Sequence, residues 1–153
     1  MANYKALLLG DRSREPLAWE ELNAERKQIA NDKAALDALG VLSAERGHIK
    51  EAEEVFRRVL ALNADDLTAL SDLGVLLAKQ GNLKESVSLL NRAFRKNQDI
   101  PGLSMNLARV ECTLGDGAAA RQILTTAMKF CGDLEDIRRL LAQIGTCGTV
   151  SQR

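Results

Sequence analysis

Catalysis needs a nucleophile or a metal held beside a base, and the residue types for that are scarce in this chain. Its one histidine, His48, directly follows Gly47 at the corner of a turn and reads as a surface residue. The three cysteines, Cys112, Cys131 and Cys147, stand nineteen and sixteen residues apart with no histidine cluster nearby, which is not a zinc pattern. An odd number of cysteines without a close pair fits a reduced compartment or inert thiols better than a disulfide framework. Cys112 has no predicted base beside it, and Cys131 and Cys147 read as structural or incidental. Gly115-Asp116-Gly117 superficially suggests a phosphate loop, but it follows a helical pattern rather than a strand and lacks a Lys-Ser/Thr partner, so it reads as a hairpin turn. Arg57-Arg58 and Arg92, Arg95 and Lys96 fall on the solvated faces of helices. These residues predict no enzyme, no cofactor and no metal site.

Composition narrows the partners. Twenty-one basic residues balance twenty-one acidic ones, so no overall field would hold a polyanion, and nucleic acid is not an expected partner. Hydrophobic residues make up 46% of the chain but aromatics only 3%, which favours helices packed through Leu, Ala and Val over sheets. The apolar run Leu7-Leu8-Leu9 is followed at once by Gly10-Asp11-Arg12, too short for a secretory segment or a membrane span. The expected location is cytoplasmic, the alternative being a fragment of a larger or exported protein whose signal or anchor lies outside these residues.

The elements that position all these residues announce themselves by repetition. Leu39-Gly40-Val41-Leu42, running to Gly47, returns 34 residues on as Leu73-Gly74-Val75-Leu76, running to Gly81, and again as Leu107-Ala108-Arg109-Val110, running to Gly115. A period of that length belongs to stacked helical hairpins. Within each period apolar residues recur at three and four. Leu36, Leu39, Val41 and Leu42 precede Gly47, and Ile49, Ala52, Val55, Phe56, Val59 and Leu62 follow it. Leu70, Leu73, Leu76 and Leu77 precede Gly81, with Leu83, Val87, Leu90 and Phe94 behind it. Either Asn31 or Asp32 caps the first of these helices, Asn63-Ala64-Asp65-Asp66 caps the next, and Asp99 with Pro101 starts the third.

Three repeats are therefore expected over 33–132, divided as 33–66, 67–100 and 101–132. Residues 1–32 read as an N-terminal helical cap or a degenerate repeat, with a helix from Pro16 to about Asn31. A capping helix over 133–147, started by Asp133 and carrying Leu134, Ile137, Leu140, Leu141 and Ile144, covers the last apolar face, and 148–153 form a flexible tail.

Leu39-Gly40, Gly47, Ala52 and Phe56, and then Leu73-Gly74, Gly81 and Leu90, resemble the tetratricopeptide repeat pattern. Gly40, Gly74 and Ala108, with Ala52, Ser86 and Ala120, are small where helices cross, while Phe56, Leu90 and Leu124 fill the space between units. The chain departs from the family at its aromatic positions, which hold Leu36, Leu70 and Ser104 and then Ser43, Leu77 and Glu111, and at its closing proline, replaced by Ala64, Gln98 and Gly132. The resemblance implies an all-α fold, a right-handed superhelix of stacked antiparallel hairpins, whose inner surface is lined by the first helix of each unit. The positions it places on that groove are Asp37, Val41, Ala44, Ser71, Val75, Ala78, Met105, Arg109 and Cys112, with Arg139 and Gln143 from the last helix. Asp37, Ala38 and Asp72 stand where some members carry a clamp for a terminal carboxylate, so that clamp is not expected. The implied function is a scaffold or adaptor that takes a peptide or protein segment by apolar contact, with charge fixing its direction. The competing reading is a structural module that assembles with copies of itself or forms a stalk in a larger protein.

Overall fold

The computed structural model describes residues 3–4, 11–132, 134–145 and 147 of the 153-residue chain. Among these the regular structure is helical, with a short 3-10 turn at Arg12–Arg14 and eight α-helices. They are α1 (Glu15–Ala24), α2 (Lys33–Glu45), α3 (Ile49–Leu62), α4 (Leu67–Lys79), α5 (Leu83–Lys96), α6 (Pro101–Thr113), α7 (Gly117–Cys131) and α8 (Glu135–Ile144). The chain forms two compact units, Met1–Asp72 and Leu73–Arg153.

The turns show why the 34-residue period produces hairpins. Gly47, Gly81 and Gly115 have φ of 80°, 84° and 86°, the left-handed region in which a Cβ is strained, so each period ends its first helix at a glycine. Helix starts recur at the same step. Asp32 Oδ1 accepts from the Ala35 N–H at 3.1 Å, and Asp66 Oδ1 from the Ala69 N–H at 3.0 Å. One period later the cap position is Ile100 rather than the expected Asp99, and it makes no side-chain cap bond. The Asp99 N–H instead bonds to Asn97 Oδ1 at 2.9 Å, which takes the chain round the turn before Pro101. Asp116 caps α7, accepting from the Ala119 N–H at 2.8 Å.

In the first unit, Ala18, Leu22, Ile29, Leu36, Leu39, Val55 and Val59 form one core, with Trp19 packed against it. Gly40 lies under Phe56: a Cβ there would stand 2.6 Å from Phe56 Cε1, so the small residue is what lets α2 and α3 approach. The expected helix from Pro16 to Asn31 stops at Ala24, and 25–31 form turns. Tertiary contacts outcompete helix continuation there. Arg26 forks to Glu51 at 2.9 Å and Glu54 at 3.1 Å on α3, Ile29 is 3% exposed in the core, and Arg58 Nε donates to the Ala30 carbonyl at 3.2 Å. Trp19 Nε1 donates to Ser43 Oγ at 3.2 Å, so this buried serine, where the family pattern has an aromatic, receives one from the N-terminal helix.

In the second unit the core is built from Leu90, Phe94, Leu107, Ala108, Val110, Ala120, Leu124, Ala127, Ile137, Leu140 and Ile144. Gly74 lies against Leu90, and Ser86 Oγ donates to the Gly74 carbonyl at 2.6 Å. The expectation of reduced or inert thiols is corrected here: Cys112 on α6 and Cys147 beyond α8 are joined by a disulfide, with Cα atoms 5.3 Å apart. The pair is 35 residues apart in sequence, and only the return of the chain past α8 brings it together. Cys131 is free, and its Sγ lies 3.4 Å from the Gln98 carbonyl. The Leu7–Leu9 run, the Asp133 cap and the 148–153 tail fall outside the described residues.

Candidate functional site

None of the eleven candidate groove residues is buried: each is half-buried or exposed. That follows from helix periodicity. On α2, Leu36, Leu39 and Leu42 take the core face, which leaves Asp37, Val41 and Ala44 one residue round the helix, half open.

In the first unit that open face is acidic. Asp37 Oδ2 binds Lys33 Nζ at 2.7 Å, and the same Nζ reaches Asp66 Oδ2 at 3.0 Å. Hydrogen bonds from Lys33 to Asp37 and then Asp66 raise the lysine pKa above its ordinary value. Asp72, in the same unit, has no such cation among the described residues. Burial, then the charges of Asp37 and Asp66, pushes its carboxyl up to about 6. Asp37 Oδ1 is buried and has no hydrogen-bond partner among the described residues. Two carboxylates thus share one lysine and a third, Asp72, feels their charge without a cation of its own among the described residues, an arrangement suited to a cation and hostile to an acidic group.

In the second unit the corresponding surface is apolar with a basic rim. Val75, Ala78 and Lys79 of α4 face Asn106, Arg109, Val110 and Thr113 of α6 across an open cavity of about 240 Å³. Val75, Ala78, Met105 and Cys112 pack on the core from one side and leave the other open, so they serve core and surface together. Lys79 and Arg109 are exposed, and neither side chain has a carboxylate partner among the described residues. Arg139, the other expected cation, is occupied by Glu135 of its own helix at 3.0 Å. Cys112 is no free groove thiol, because it is in the disulfide. A second depression of about 400 Å³, lined by Arg121, Gln122, Thr125 and Lys129, lies along α7 alone and has no facing helix to enclose a ligand.

Lys79, Asn106, Val110 and Thr113 were missed in the sequence. Lys79 and Thr113 lie one turn beyond Val75 and Arg109, and extending each stripe by four residues would have found them. His48 is exposed, as expected of a surface residue, and its ring stacks on Trp19 at 5.0 Å, with Arg46 5.2 Å from the centroid of the same indole.

Residues 43–103, which carry the turns at Gly47 and Gly81 and the Gly74–Leu90 crossing, match the family model described as Tetratricopeptide repeat. This stretch belongs to the tetratricopeptide repeat family. Solved structures extend the tetratricopeptide fold to nearly the whole chain. A tetratricopeptide repeat protein from Parabacteroides merdae is similar over 96% of this chain and 60% of its own, with a TM-score of 0.79 and 19% identity. A thermophilic tetratricopeptide protein of Thermus thermophilus is similar over 94% and 77%, with a TM-score of 0.70 and 24% identity. PilF of Pseudomonas aeruginosa is similar over 92% and 65%, with a TM-score of 0.77 and 22% identity. The chain thus spans 60% of the length of the Parabacteroides protein. None of the curated proteins matches it. Among the described residues no helix is long and apolar enough to cross a membrane.

Proposed function

We propose that this chain is a non-catalytic protein-interaction scaffold that binds a peptide or protein segment on the inner face of its first-of-pair helices, over α4 and α6. The observation that carries the reading is the cavity between Val75, Ala78 and Val110, with Lys79 and Arg109 at its rim and no carboxylate among the described residues to neutralise them. Apolar side chains of a segment would fill the cavity, and an Asp or Glu would meet the rim cations. Asp37, Val41, Ala44 and Ser71 are the inner positions of the first unit, where the acidic cluster around Asp72 favours a basic side chain. Met105 and Cys112 border the cavity residues on α6, and Arg139 and Gln143 extend the proposed face on α8. The proposed place of action is the cytoplasm.

Selection from a displayed library of random peptides on the immobilised protein tests this reading. Enriched sequences should pair apolar residues with an Asp or Glu, and they should lose binding to Val75→Glu, which places a charge in the cavity. Peptides that bind Val75→Glu as they bind the parent would move the site elsewhere. Sedimentation across a concentration series addresses the self-assembly alternative, since a scaffold of this kind stays monomeric on its own.

A further inference from the structure

We propose that the Cys112–Cys147 disulfide is a redox-operated clasp that holds α8 on the second unit and releases it on reduction. The helix it fastens is ten residues long, too short to persist unless packed. Ile137, Leu140 and Ile144 form its buried stripe on the unit, with Leu141 packed beside them; its N-cap Leu134 makes no side-chain cap bond, and the Arg139–Glu135 pair is internal to the helix. At its C-terminal end the chain turns so that the Cys147 N–H bonds to the Ile144 carbonyl at 2.9 Å, and Cys147 is tied directly to Cys112 on α6.

The seat for this segment is shaped by a second residue. A Cβ on Gly117, the first residue of α7, would stand 3.3 Å from Cys147 Cβ and 3.6 Å from its carbonyl oxygen. The glycine that weakens the start of α7 is what allows the chain past α8 to approach it. Both bridged cysteines are half-buried, packed on the core without being enclosed by it, and the switch requires a thiolate to reach one of their sulfurs. The switch rests on the proposed cytoplasmic location, where a disulfide is mostly transient and redox-sensing rather than a permanent staple.

Opening is a two-electron exchange with a dithiol. One thiolate attacks a sulfur of the bridge, forms a mixed disulfide and expels the other cysteine as a thiolate, which takes up a proton. The second thiol of the reductant then attacks the mixed disulfide, releases the remaining cysteine as a thiol and leaves as a cyclic disulfide. Cys131 stays outside this chemistry: burial, and then the charge of Asp99, raises its pKa and keeps it protonated.

The test is amide hydrogen exchange of the full chain, oxidised and then reduced with dithiothreitol, with the Cys131→Ser variant run alongside to exclude reshuffling. Reduction should speed exchange of the α8 amides about tenfold or more while α5 and α6 keep their protection, and Cys131→Ser should respond in the same way. Cys147→Ser should exchange like the reduced parent without any reductant. Unchanged α8 exchange on reduction would overturn the proposal. So would loss of protection throughout the unit, which would make the bond a global staple, or a bridge that stays closed across the whole range of cytosolic glutathione ratios.

Discussion

A Cβ placed on Gly74 would lie 2.7 Å from Leu90 Cγ and 3.4 Å from the Ser86 carbonyl oxygen, and Leu90 is wholly buried. This is closer than carbon atoms pack, and the obstacle is the branch point of a core side chain rather than its mobile end. Gly74→Leu should therefore cost about 1–3 kcal/mol from overpacking, with Gly74→Ala showing a smaller loss in the same direction. Urea unfolding followed by circular dichroism checks both. A Leu variant as stable as the parent would mean that the crossing of α4 and α5 can open freely.

Ile100 occupies the position that Asp32 and Asp66 hold in the two preceding periods. Its φ and ψ of −97° and 104° nearly match the −89° and 98° of Asp32, so an aspartate there would already have capping geometry. Ile100→Asp should stabilise the protein by about 0.5–2 kcal/mol by accepting from the Leu103 N–H. The isoleucine is 38% exposed, so the apolar cover it loses offsets part of the cap and places the gain toward the lower end of that range. A melting temperature at or below that of the parent would contradict this.

Asp72 sets a pH dependence whose sign can be stated. Its folded pKa of about 6 lies above its ordinary 3.8, so the folded state holds the extra proton between those values. Stability from this group is complete below 3.8 and is lost as pH rises through 6. The full shift corresponds to about 3 kcal/mol, and closer to 1 kcal/mol once screening at this partly exposed site is allowed for. Asp72→Asn should raise stability at pH 7 by about that smaller amount and leave it nearly unchanged at pH 4. Paired denaturation curves at the two pH values give the comparison, with Asp37, Asp66 and Lys33 intact in both proteins.

Lys79 and Arg109 should act on a bound acidic segment mainly through long-range charge. Each exposed contact with a carboxylate is worth about 0.2–1 kcal/mol, so the Lys79→Glu, Arg109→Glu pair should weaken binding modestly and remove most of its salt dependence. Arg139→Glu should do less, because Glu135 already occupies that guanidinium. Titration calorimetry of a selected peptide at low and high salt separates these outcomes. Equal salt slopes in parent and double variant would exclude the two cations from the site.

The 34-residue period, the glycine turns and the apolar stripes were legible in the sequence because each is local: φ at Gly47, Gly81 and Gly115 depends on the residue itself, and helical periodicity shows which side is apolar. The small residues at helix crossings were legible for the same reason, since Gly40 and Gly74 repeat with their large partners Phe56 and Leu90 in step. Other features needed partners far away in the chain. The helix begun at Glu15 stops at Ala24 where Arg26 and Ile29 find α3 and the core, and no residue in that stretch signals the stop. Cys112 and Cys147 read as unrelated thiols until the chain past α8 sets their Cα atoms 5.3 Å apart, and Gly117 read only as part of a hairpin turn, although Cys147 lies against it. Which cations stand free was equally hidden. Arg109 and Arg139 look alike in sequence, and only side-chain placement pairs Arg139 with Glu135 while leaving Arg109 beside Lys79 at the cavity rim.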